Sequence, residues 1–102
     1  TIDKINPVSH ETHNYFKYII VLRNKDKERY ELHKYFESKG ISPSGYVYEI
    51  PLHKLPIFPE YNKLQLRNTD YYCERHFCLP IFYSMSNEQV EYVSEILKAA
   101  LT

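Results

Sequence analysis

Cys73, His76 and Cys78 sit close together in the chain and carry the donor atoms that metal binding or nucleophilic catalysis would use. A structural zinc site needs two ligand pairs, such as Cys-x-x-Cys with a partner pair elsewhere. These are the only two cysteines in the chain, and no second pair exists. A disulfide would need a helix residue and the helix exit to reach bridging geometry. His76 falls one helical turn after Cys73, yet a cysteine nucleophile also requires a depressed thiol pKa and an oriented base. The reading is two buried free thiols, no metal and no self-contained catalytic apparatus. With glycine only at positions 40 and 45, a glycine-rich phosphate loop is excluded as well.

His53 is placed differently. It lies between Pro51 and Pro56, where the backbone is stiffened and the imidazole is aimed by its neighbours. One reading is a histidine hydrogen-bonded to a nearby carbonyl. The other is a donor to an anionic or sugar ligand at a domain interface. Tyr46 and Tyr48 flank Val47, so in an extended segment they share one face. They either pack over the preceding helix or meet a ligand. All three belong to the stretch Gly45–Tyr61, which holds three of the six prolines and three of the eleven tyrosines. A helix cannot run through it, and it is too apolar for a solvated loop, so it must pack against something or line a site.

Composition narrows the classes. Thirteen basic residues balance thirteen acidic ones with no basic stripe, which argues against nucleic-acid binding. No apolar run reaches the ~20 residues of a membrane helix, and Thr1–Ser9 has no signal-peptide core. The expectation is one cytoplasmic domain with reduced thiols. A start at Thr1 without Met points to a piece of something longer.

The elements that position these residues follow from periodicity. Residues 1–13 read as a lead-in or linker, and the domain as 14–102. Tyr15–Leu22 is a β-branched and aromatic run, expected to be a strand covered on both faces. Asp26 is expected to cap a helix reaching Lys39, with Leu32, Tyr35, Phe36 and Lys39 along one face and Gly40 closing it. Tyr46–Tyr48 reads as a short second strand, and 57–61 as one helical turn. Asn68 is expected to cap a helix through about Phe77, followed by an extended edge segment at 78–82 that contains Pro80. In the last helix Ser86 and Gln89 form a capping box, Met85 and Val90 occupy its staple positions, and Val90, Val93, Ile96 or Leu97, and Ala100 or Leu101 make an apolar stripe. The sum is an α+β domain: a small, mostly antiparallel sheet of about three strands with helices packed on it.

The order of these elements, from about Thr12 to the end, resembles a known family. The hydrophobic strand, the helix ending Lys39-Gly40-Ile41, Tyr46-Val47-Tyr48, Pro51-Leu52-His53 with Pro56, Leu79-Pro80-Ile81-Phe82 and Met85-Ser86-Asn87-Glu88-Gln89-Val90 are similar to the C-terminal small domain of the DegT/StrS sugar aminotransferases. Those are fold-type I enzymes dependent on pyridoxal phosphate. The resemblance implies a large cofactor-binding domain in the same polypeptide and a keto-sugar substrate, usually carried on a nucleotide. It also implies glutamate or glutamine as amino donor, and a homodimer when full-length. It implies that this chain alone is inactive and holds no cofactor, and that Tyr46, Tyr48 and His53 approach the substrate side. The chain departs from the family pattern where Ser44-Gly45 replaces the Arg that many relatives carry, and where Glu49-Ile50 intervenes before Pro51. The other expectation considered is a free-standing α+β module that binds another protein through its tyrosines.

Overall fold

Five residues of the apolar run, Tyr18–Leu22, form the central strand of a three-stranded antiparallel sheet. The computed structural model describes residues 2–4, 14–23 and 28–102. Strand β1 (Ile2–Lys4) pairs with β2 (Tyr18–Leu22) through Ile2↔Leu22, and β2 pairs with β3 (His76–Leu79) through Ile20↔Phe77. Residues 2–4 fall in the segment read as a lead-in, so part of that segment is sheet. The helices are α1 (Arg29–Ser38), α2 (Arg67–Arg75) and α3 (Asn87–Leu101). Short 3₁₀ turns occur at Leu52–Lys54 and Pro59–Tyr61, the second inside the expected helical turn. The fold is α+β.

Side chains alternate across a strand, so this register gives the sheet two distinct faces. Ile20 and Phe77 share one face with Leu22, and this face packs on α1 and α3. Its core is Ile20, Leu22, Leu32, Phe36, Ile41, Phe77, Val93, Leu97 and Ala100. Phe36 and Phe77, both fully buried, meet edge to face with centroids 5.5 Å apart. Such a pair adds about 0.5–1.5 kcal/mol beyond its burial. The opposite face carries Ile19, Val21, His76 and Cys78, paired as Ile19↔Cys78 and Val21↔His76. Because Ile20, Val21 and Leu22 are buried in succession, β2 is covered on both faces as expected.

Helix α1 ends as its sequence dictates. Gly40 takes a φ of 76°, and the Ile41 amide bonds to the Phe36 carbonyl at 2.9 Å, folding buried Ile41 back onto the helix. The expected cap Asp26 lies outside the described residues. In α3 the Gln89 amide donates to Ser86 Oγ and the Gln89 side chain accepts from the Ser86 amide, completing the capping box. Val93, Leu97 and Ala100 are buried, whereas Val90 is half exposed beside an apolar groove of about 340 Å³ between α3 and the sheet.

Three expectations are corrected. Tyr46–Tyr48 forms no strand. Instead Ser44 and Gly45 exchange hydrogen bonds of 3.1 Å each with Cys78, covering the outer edge of β3, and Gly45 turns away with a φ of 78°. A side chain at Gly45 would be strained in that conformation. Asn68 lies inside α2, whose N-cap is Leu66 with no side-chain cap bond. The same helix stops at Arg75 because the next residues pair with β2, which buries Phe77 and Cys78 completely.

Candidate functional site

The candidate residues ride on the segment that leaves β3's edge at Gly45 and crosses the second face of the sheet toward α2. The backbone here lacks a ladder, so its polar groups need partners from elsewhere. Four side chains supply them. His76 Nε2 accepts the Val47 amide at 2.9 Å. The Cys73 thiol donates to the Tyr48 carbonyl at 3.1 Å. Arg29, from the first turn of α1, donates one guanidinium nitrogen to the Glu49 carbonyl at 3.0 Å and another to the Cys73 carbonyl. Farther along, Asn62 Nδ2 lies within 3.1 Å of three carbonyls, those of His53, Leu55 and Phe58, and closes the turn between them.

His76 is the hub. It caps α2, with Nδ1 2.9 Å from both the Tyr72 and Cys73 carbonyls, and those acceptors fix the proton on Nδ1. Nε2 is then the bare acceptor that Val47 requires. Burial lowers its pKa below the ordinary histidine value, and the Arg29 charge adds to this against the raising effect of the two helix carbonyls. Burial likewise raises the Cys73 and Cys78 thiols above their usual value. Both are free and buried, as expected from their sequence. Raised in this way both thiols favour the protonated form, and Cys73 uses its proton on the Tyr48 carbonyl. Among the described residues no group of three or more His, Cys, Asp or Glu could hold a metal.

The three sequence candidates occupy different environments. Tyr46 is half-buried and faces inward, its ring edge-on to His76 and Phe77 and its face under the Arg29 guanidinium at 4.2 Å. It also meets His33 of α1, the packing alternative weighed from the sequence. Burial raises its hydroxyl pKa, so it stays a neutral phenol. Tyr48 is 72% exposed and lines an apolar cleft of about 260 Å³ with Ile19, Val47, Thr69, Tyr72, Cys73 and His76. His53 is buried, with Nε2 3.1 Å from Asp70 Oδ1, which Lys54 Nζ approaches at 3.2 Å. Partial burial alone would raise the Asp70 carboxyl. Contact with Lys54 and its charge, with smaller help from His53 and the Leu66 backbone, outweighs this and holds the carboxyl below its usual value. Of the three candidates only Tyr48 lines this cleft.

From the sequence Asp70 is expected only as an acidic residue near the start of α2, where it does lie. Its pairing with His53 and Lys54, the roles of Arg29 and Asn62, and the hub role of His76 escaped the sequence reading. Only Arg29 carried a signal. A cation in the first helical turn opposes the helix dipole, so its presence there implies a partner beyond the helix.

Around these anchors the segment leaves much apolar surface bare. Val47, Tyr48, Ile50, Leu52 and Ile57 are each 41–75% exposed. Soluble surfaces rarely carry so many adjacent apolar groups without covering them in an assembly. No described helix is long and apolar enough to cross a membrane. A pyridoxal phosphate site needs a lysine for the Schiff base and a carboxylate for the pyridine nitrogen. The cleft beside Tyr48 and the groove beside Val90 have neither in their walls, and a third concavity at the start of α3 has Glu88 but no lysine. Among the described residues, none of these three cavities fits that cofactor.

No curated protein matches the chain. The family model of the DegT/DnrJ/EryC1/StrS aminotransferases matches residues 2–98, nearly the whole of the 102-residue chain, including β1, the Gly45–Tyr61 segment and most of α3. The chain belongs to the DegT/DnrJ/EryC1/StrS aminotransferase family.

Proposed function

We propose that this chain is the C-terminal small domain of a pyridoxal-phosphate-dependent aminotransferase that acts on a keto-sugar, carried on a nucleotide, in bacterial carbohydrate biosynthesis. The domain takes in β1 together with 14–102, and a large cofactor domain of the same polypeptide supplies the lysine and the phosphate contacts. The assembly is a cytoplasmic homodimer, with glutamate or glutamine as the amino donor. Here the chain contributes surface, not catalysis. The observation that carries the reading is the set of bare apolar groups Val47, Tyr48, Ile50, Leu52 and Ile57 on a segment pinned at 47–49 from α1, α2 and β3 and closed farther along by Asn62. A segment anchored at both places is preorganised for a partner.

On this reading Tyr48 offers its phenol to the substrate, Tyr46 supports it from beneath, and His53 with Asp70 sets the far end of the same surface. In the enzyme that carries this domain beside its cofactor domain, Tyr48→Phe is expected to raise KM for the keto-sugar about tenfold, one hydrogen bond's worth. The cofactor absorbance stays unchanged. An unaltered KM would remove Tyr48 from the substrate surface. The competing reading, a free-standing module binding another protein, draws on the exposed Tyr48, Tyr61, Tyr72 and Tyr83. The coding sequence upstream of Thr1 separates the two: a lysine-bearing cofactor domain in frame supports the enzyme, and its absence supports the module.

A further inference from the structure

Both nitrogens of the His76 ring are committed in one protonation state. Nδ1–H points at the last carbonyls of α2, and the Nε2 lone pair holds the Val47 amide. A proton added at Nε2 consumes that lone pair and sets N–H against N–H. The ring is buried and cannot turn to water without leaving its site.

The surrounding charges offer the imidazolium little relief. From α1 the Arg29 guanidinium stands 3.5 Å from Nδ1, and His33 faces the same aromatic cluster through Tyr46 and Phe77. From the crossing segment come the Tyr46 ring and Glu49, whose carbonyl is tied to Arg29. From α2 come Tyr72 and Cys73, with Asp70 engaged by His53 and Lys54, and Glu74 and Arg75 next in sequence. The strand facing His76 contributes Val21, which is apolar. Among the described side chains, the nearest fixed charge is therefore positive.

We propose that protonation of His76 unlatches the segment from Tyr46 to Glu49 from the junction of α2 and β3, making this surface acid-sensitive while the sheet stays folded. The break is local because Cys78 holds Ser44 and Gly45 by backbone bonds that no proton disturbs. With the Val47–His76 bond gone, the Cys73 and Arg29 hydrogen bonds, the Tyr46 ring contacts and the Cys78 thiol beside the Val47 backbone are what still hold the segment, so it loosens over the cleft beneath it. The device does not depend on what the segment binds.

The sign follows from linkage. His76 is neutral when the segment is latched, and its folded pKa lies below the 6.5 of a free imidazole. The latch is complete above that value and weakens as pH falls toward the folded midpoint. Amide exchange on the full chain, normalised for intrinsic rates, reads it directly. Protection at Val47 is expected to fall as pH drops below about 6.5, by up to about tenfold per pH unit, and to level off below the folded midpoint. Protection at Cys78 and Val90, bonded to the Gly45 and Ser86 carbonyls, stays constant. A His76→Gln variant, whose amide oxygen can accept from Val47 without titrating, is expected to lose the pH dependence. Should that variant misfold, the wild-type ring titration followed by NMR still decides. Flat Val47 protection while the His76 ring titrates would overturn the proposal. Equal loss at Val47, Cys78 and Val90 would overturn it too, because it would mean global unfolding.

Discussion

On one face of the sheet, Ile20, Leu22 and Phe77 meet Leu32, Phe36, Val93 and Leu97 with apolar contacts almost throughout. On the other, Tyr46–Glu49 is fastened by single polar contacts from Arg29, Cys73 and His76, each reaching 20 or more residues along the chain. Burial is additive and non-directional, so the first face tolerates small changes by repacking. A pinned segment has no such reserve. Losing one anchor leaves a partner unsatisfied and moves the backbone. The first face makes the domain fold; the second sets the shape it presents.

Substitutions can separate the two regimes. Phe36→Ala removes one of the two fully buried rings of the core and its edge contact with Phe77. A global loss of about 3–5 kcal/mol is expected in denaturant unfolding, and a loss under about 1 kcal/mol would deny that the first face carries the stability. Arg29→Met keeps the aliphatic stem but deletes the cation over Tyr46 and the donors to the Glu49 and Cys73 carbonyls. Its cost is about 1.5–3 kcal/mol, and faster amide exchange should concentrate at 46–49. If the loss instead spreads through β2 and α3, the two faces are one cooperative unit and the contrast fails. Ser86→Ala removes the α3 cap bond. About 1 kcal/mol is expected, with exchange at Val47 unchanged.

How far the sequence foretold these regions follows from the same physics. The first face was legible because burial writes itself as periodicity: Leu32 and Phe36 on α1, Val93, Leu97 and Ala100 on α3, and the unbroken run of β2. Local rules also held where a motif carries its own bonds, as in the capping box at Ser86 and the left-handed Gly40. They failed where distant partners decided. Tyr46–Tyr48 alternates like a strand, but the Val47 amide goes to a ring 29 residues away and Gly45 bends the chain before a ladder can form. Helix α2 loses Phe77 to pairing with Ile20, a contact that no window around residue 77 contains. His53 drew notice through its prolines. Its partner Asp70 and the Asn62 clamp on its carbonyl did not, because neither spacing follows a helix or strand period.

The chain belongs to an aminotransferase family, and the proposed function makes it a contributor of surface to a reaction performed elsewhere. The most direct measurement is amino transfer by the purified 102-residue chain, supplied with pyridoxal phosphate, glutamate and a nucleotide-linked keto-sugar. The account predicts no turnover and no absorbance of a defined lysine adduct above that of an unfolded control. Sustained transamination by the chain alone would contradict it.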